Sequence, residues 1–154
     1  MFRHMRTFWT RGLARSLFVT VAFIGCRAAP VHRPRTRPVT VTTVPLLTKE
    51  MAAVYPFLKT DFATQGVLAG KEVYAFVPST IVAYAGDTLE ITFVNPEDDA
   101  HTFVLPDLAV ALPGESRKTI RYPVGAPGIY PFQCNMAAHA PMMSGQLVVL
   151  GGKP

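Results

Sequence analysis

A cysteine, two histidines and a methionine occur in an order that can hold a soft metal ion: His101, Cys134, His139 and Met143. Cys134 closes the segment Ile129-Tyr130-Pro131-Phe132-Gln133, His139 follows after four intervening residues, and Met143 after three more. A loop of this length folds its cysteine, histidine and methionine back onto one ion. His101, 33 residues upstream at the start of another apolar segment, closes the set from a second element. One thiolate, two imidazoles and a weak thioether form the trigonal set with a long axial ligand that copper uses for electron transfer. Sulfur suits Cu(I), and imidazole suits both oxidation states. A rigid scaffold holding one compromise geometry keeps the reorganisation on electron transfer small. Adjacent side chains in an extended segment point to opposite faces, so only one of Met142 and Met143 reaches the ion.

Each residue taken singly has an ordinary reading. Cys134 could be a buried small hydrophobe or pair with Cys26 in an oxidising compartment. His101 could be a half-buried histidine, and Met143 a core gap-filler. Zinc accepts Cys and two His with water, but methionine is a poor zinc ligand. A Cys134/His139 nucleophile pair lacks any recognisable oxyanion partner. The joint order favours the copper set. The remaining histidines, His4 and His32, fall in N-terminal segments, so no His-rich second copper cluster can be built. A single loop cysteine excludes a binuclear thiolate centre.

These residues need a scaffold, and the chain of 154 residues allows one ordinary domain plus an extra segment. Apolar residues make up 49 % and charged residues 16 %, enough for a core. The net charge of +5 hides an asymmetry: residues 1–45 hold eight Arg and no acid, whereas residues 46–154 hold seven Lys/Arg against ten Asp/Glu. The mildly acidic C-terminal part argues against nucleic-acid binding.

Residues 1–26 read as a signal peptide, with Arg3, Arg6, Arg11 and Arg15 ahead of the ten-residue apolar run Ser16–Gly25. Ten residues are too few to span a bilayer, which takes about 20. The run ends in Phe23-Ile24-Gly25-Cys26, similar to a bacterial lipobox, so Cys26 is the expected lipidation site and membrane anchor. Residues 27–45, with four Pro and four Arg, are expected to be an extended linker.

The folded domain is expected over 46–154. Thr48–Leu58 can form a short helix capped by Thr48. Beyond it, Asp87–Phe93 and Lys118–Tyr122 alternate apolar and polar residues, and further strands are expected at Glu72–Val77, Ile81–Tyr84, His101–Leu105, Gly128–Cys134 and Gly145–Leu150. Turns fall at Ala85-Gly86-Asp87, Asn95-Pro96-Glu97, Pro113-Gly114-Glu115 and Ala126-Pro127-Gly128. About seven short strands with such spacing predict an all-β protein, an antiparallel Greek-key β-sandwich.

The segments Asp99-Ala100-His101-Thr102-Phe103-Val104-Leu105-Pro106, Pro113-Gly114-Glu115-Ser116, Pro127-Gly128-Ile129-Tyr130-Pro131-Phe132-Gln133-Cys134 and Met143-Ser144-Gly145-Gln146-Leu147-Val148-Val149, with His139 between the last two, resemble the cupredoxins, the small type 1 copper proteins. The Cys-x4-His-x3-Met spacing is similar to that of azurins. The resemblance implies a single copper ion with Cys134, His101 and His139 equatorial and Met143 axial, since Met143 keeps the three-residue gap and stands directly before the last strand. Two positions depart from the family: Ala137-Ala138 precedes the second histidine where Gly or Pro-Gly is common, and Thr102 follows the first where Asn or Ser is common. The expectation is an exported, periplasmic or surface-held monomer, lipid-anchored, that passes single electrons between a donor and an acceptor protein and is not an enzyme. The alternative is a periplasmic delivery or assembly protein supplying copper to an oxidase.

Overall fold

Alternation of inward apolar and outward polar side chains builds most of the strands. In β4 (Thr88–Asn95) Leu89, Ile91, Phe93 and Asn95 are buried while Thr88, Glu90, Thr92 and Val94 are partly exposed. The computed structural model describes residues 32–152. The expected signal peptide 1–26 and the Cys26 lipidation site lie outside the described residues.

Among the described residues, nine strands form two sheets. One has the order β2-β1-β4-β7, from β1 (Thr36–Leu47), β2 (Val73–Val77), β4 and β7 (Ser116–Pro123). The other has the order β3-β9-β8-β5-β6, from β3 (Thr80–Tyr84), β5 (His101–Leu105), β6 (Leu108–Leu112), β8 (Gly128–Gln133) and β9 (Ser144–Leu150). The β-sandwich expected from the strand pattern is present. Most pairs are antiparallel, whereas β1–β4 and β3–β9 run parallel.

The facing sides enclose Val41, Phe76, Ile81, Leu89, Ile91, Phe93, Phe103, Leu105, Phe132 and Leu147. Phe103 is the hub, with ring centroids 5.4 Å from Phe76, 4.8 Å from Phe93 and 4.6 Å from Phe132. Such edge-on and tilted aromatic pairs add specific geometry to the burial itself. In β9, Gly145 leaves room for this packing: a Cβ there would stand 2.3 Å from the Ser79 carbonyl oxygen and 2.4 Å from the Phe132 ring.

The expected linker over 27–45 is corrected from Thr36 onward, because residues 36–45 form most of β1. Proline and arginine content suggested a solvated chain, but the strand accommodates both residue types. Its first half pairs only with β4, since pairing with β2 begins at Thr42, so Pro38 keeps a free side. Pro45 lies where the register with β2 shifts, between Pro45 and Leu47. Proline is tolerated at strand edges and bulges for lack of an N–H. Arg37 turns inward to a buried carboxylate, Asp87.

Asp87, fully shielded, holds the start of β1. It accepts hydrogen bonds from the Arg37 guanidinium, the Arg35 N–H at 3.0 Å and the Tyr84 N–H at 3.2 Å, and pairs with His32 at 2.8 Å. The His32 ring stacks on Tyr84 with centroids 4.3 Å apart. Three histidines therefore belong to the described domain, and nine Lys/Arg against ten Asp/Glu give it a net charge of −1. The expected Thr48–Leu58 helix is instead a 3-10 turn over Lys49–Ala53 and a separate short helix, α1 (Leu58–Phe62), with Pro56 between them. Thr48 stands at the predicted cap position, but its side chain makes no capping bond.

Candidate metal centre

His101 opens β5, Cys134 follows the last residue of β8, and His139 and Met143 lie on the loop leading to β9. These are adjacent strands of one sheet: β5 pairs with β8 at Val104–Gln133, and β8 pairs with β9 along its length. The four candidates thus converge at one end of the sandwich, and all four are buried. One ring nitrogen or sulfur from each of His101, Cys134 and His139 lies within 4.8 Å of the others, the one such cluster among the described residues. The two Nδ1 atoms are 3.1 Å apart, and Cys134 Sγ is 3.8 Å from His139 Nδ1.

The loop is held mainly by its own backbone. Cys134 N–H donates to the Met143 carbonyl at 2.9 Å, Met143 N–H to the His139 carbonyl at 3.1 Å, and His139 N–H to the Met136 carbonyl at 3.0 Å. Ala137-Ala138, where the resemblance led one to expect Pro-Gly or Gly, are secured from outside. Glu72 N–H donates to the Ala138 carbonyl at 3.0 Å, and the Lys71 ammonium donates to the Ala137 and Ala140 carbonyls. Closure from a neighbouring segment does the work that loop glycine or proline could otherwise do.

Two supporting residues escaped the sequence reading. Tyr74, in β2, packs its ring 4.6 Å from the His101 ring and 4.7 Å from the His139 ring, and its hydroxyl donates to the Asp99 carboxylate. Burial, followed by this carboxylate, pushes the Tyr74 hydroxyl well above the ordinary phenol range. Buried Asn95 accepts from the Thr43 hydroxyl at 2.6 Å and donates to the carbonyls of Asp99 at 2.7 Å and Pro113 at 2.9 Å. It thereby fixes the chain two residues ahead of His101. Sequence showed Asn95 only as part of a turn, and Tyr74 as one more strand residue.

Burial, then the neighbouring His139, lowers the His101 pKa to about 4, with Asp99 opposing. The metal-free imidazole is therefore neutral near pH 7, its lone pair available to a cation. His101 Nε2 is buried without a hydrogen-bond partner, the only such side-chain nitrogen or oxygen among the described residues. A buried thiol beside two close imidazole nitrogens has little reason to exist as packing alone. The donor set fits copper: two imidazole nitrogens and a thiol sulfur lie together, and buried Met143 on the same loop could add a weak thioether.

The two methionines stand in the turn ahead of β9, with the Met143 N–H bonded back to the His139 carbonyl, and not in the extended segment expected; they still diverge, Met143 fully buried and Met142 40 % exposed. Met143→Leu is expected to raise the reduction potential of the copper-loaded protein while leaving it coloured, because a weak donor that favours Cu(II) is lost. Met142→Leu should leave both properties nearly unchanged. Potentiometric titration of the two variants checks the assignment, and a large shift at Met142 with none at Met143 reverses it.

A two-sheet sandwich whose end carries buried Cys, His and His donors on adjacent strands defines a small β-sandwich metal protein. The chain belongs to the cupredoxin-like domain family, whose model matches residues 61–149, more than half of its length. Among solved structures, auracyanin B is 18 % identical with a TM-score of 0.50, over 77 % of this chain and 91 % of that one. Auracyanin A, a "blue" copper protein from Chloroflexus aurantiacus, is 17 % identical with a TM-score of 0.49, over 75 % and 99 %. A multicopper oxidase from Pseudomonas thermotolerans is 15 % identical with a TM-score of 0.51, over 79 % of this chain but 31 % of that one. No curated protein matches the chain in sequence.

Proposed function

We propose that this protein is an exported type 1 copper protein that carries single electrons between a donor and an acceptor protein. The observation that carries the reading is the convergence of three buried donors, His101, Cys134 and His139, with buried Met143 on the same loop. Copper bound there would supply a one-electron couple. Cys134 would provide the thiolate, His101 and His139 the imidazoles, and Met143 a weak thioether. Protein ligands fill the coordination and leave no position for a substrate, which makes the domain a carrier and not an enzyme. The backbone bonds across the loop and the Asn95 anchor hold the donors in place and so keep reorganisation small.

Met136 and Met142 are exposed on the loop around His139, so a partner docking on this apolar rim comes close to a ligand ring. The N-terminal sequence supports export and a lipid anchor at Cys26, with the protein monomeric at the membrane surface and without nucleic acid. The test is addition of Cu(II) to the purified domain. An intense visible thiolate-to-copper absorption, reversibly bleached by one electron, is the expected result. Slow copper loss to a chelator accompanies a carrier. Colourless binding with rapid loss overturns the reading in favour of copper delivery.

A further inference from the structure

We propose that Asn135 is a positioning residue that limits the hydrogen bonds reaching the Cys134 sulfur, by holding the proton of the Thr102 hydroxyl on its own amide oxygen. The inference rests on the copper reading above and concerns what this chain does to the thiolate.

Thr102 and Asn135 each follow a ligand, His101 and Cys134, and meet across the β5–β8 junction. Two groups of Thr102 face the sulfur: its backbone N–H at 3.5 Å and its hydroxyl at 3.6 Å. The same hydroxyl lies 2.7 Å from Asn135 Oδ1 and accepts the Asn135 backbone N–H at 3.0 Å. A threonine hydroxyl has one proton to donate and two lone pairs. At 2.7 Å the amide oxygen is at the preferred O–H···O distance, whereas the sulfur is a weak acceptor further away. The proton therefore goes to Asn135, and its N–H occupies a lone pair of the same oxygen. Asn135 grips the hydroxyl from both sides. Of the two Thr102 groups, only the backbone N–H is left to the sulfur.

A second hydrogen bond to the thiolate would withdraw electron density from the copper–sulfur bond and favour the reduced ion, and hydrogen bonding around this sulfur is a recognised control of potential. Asn135→Ala removes the competing oxygen and keeps the backbone N–H, so the hydroxyl turns to the sulfur. The expected result is an upward shift of the potential corresponding to about a tenfold change in the reduction constant, 59 mV for one electron. The Cu–S stretching frequency falls in parallel. Thr102→Val alone should leave the potential nearly unchanged, and Thr102→Val with Asn135→Ala should abolish the shift. Thr102→Ser with Asn135→Ala restores it, because serine retains the hydroxyl. Asn135→Asp, which keeps an acceptor oxygen in place, should leave the Cu–S frequency as in the native protein.

A merely structural role for Asn135 gives the same shift with or without the Thr102 hydroxyl, and that result overturns the proposal. So does a fall in potential in Thr102→Val, which means that the hydroxyl already donates to sulfur. Because every arm starts from coloured native protein, failure of the native domain to colour with Cu(II) identifies a failure of the copper reading instead.

Discussion

Cys134→Ser is expected to abolish the visible thiolate-to-copper band of the loaded protein while the metal-free domain stays folded. The band requires a copper–sulfur bond, and serine oxygen is too weak a donor to replace it. Stability should change modestly, because serine is close to cysteine in size and the Thr102 N–H remains 3.5 Å from the substituted position. A buried hydroxyl that is poorly partnered costs about 1–3 kcal/mol. The aromatic cluster around Phe103 lies beneath the site and needs no metal to pack. Copper should raise the melting temperature of the native domain, through mass action on the folded state alone, and do so far less in the variant. Absorption spectra and thermal melts with and without copper check both halves. A coloured variant, or a native domain unfolded without metal, refutes this account of the site.

The second large effect lies at the other end of the sandwich. Asp87→Asn should destabilise the domain by about 3 kcal/mol, since it removes one partner from a buried charge cluster. For a domain of this size the melting temperature falls by roughly 10 °C. Burial alone would push the Asp87 pKa up, but hydrogen bonds from Arg37, the Arg35 and Tyr84 N–H groups and His32 outweigh it and hold the carboxyl well below the usual range. A depressed native pKa gives stability that is fully present above the unfolded value of ~4 and is lost as pH falls toward the native one. The native protein and the variant should therefore differ at pH 7 and converge as the solution is acidified below pH ~4. Melts across that range test it, and a gap that stays constant to low pH contradicts the linkage. The copper band of Asp87→Asn should be native, because β4 separates Asp87 from the Asn95 end by about 25 Å of strand.

The ligand loop was legible because chemistry fixes its spacing: only a few residue types bind copper, and Cys134, His139 and Met143 are close in sequence. Strands such as β4 and β7 are legible because one face of each turns to the core, buried in β4 and partly buried at Ile120 and Tyr122 in β7, which imposes a period of two. β6 carries no such signal, since Leu-Ala-Val-Ala-Leu has apolar or small residues on both faces and no polar alternation. β1 was hidden by composition. Its inward positions Arg37, Val39, Val41 and Thr43 do alternate, but the reason for the first is Asp87, fifty residues away in sequence. Tyr74 and Asn95 were silent for the same reason, because their roles exist only once distant segments meet.

β1 is also the strand through which any load on the preceding segment enters the domain. The chain joins at the end marked by Asp87 and runs parallel to β4 toward the metal end. Tension on that segment, whatever its source, is directed along the strand axis as it enters β1. The seven register pairs from Thr36–Thr88 to Thr42–Val94 then resist in shear, sharing the force instead of unzipping one by one. The Asp87 clasp takes the load first, where Arg37 and His32 lock the strand's entry. The loop bearing Cys134, His139 and Met143 spans β8 and β9 in the opposite sheet, outside that line of force. A pull entering through β1 is thus met first in one sheet, while the loop carrying the candidate donors belongs to the other.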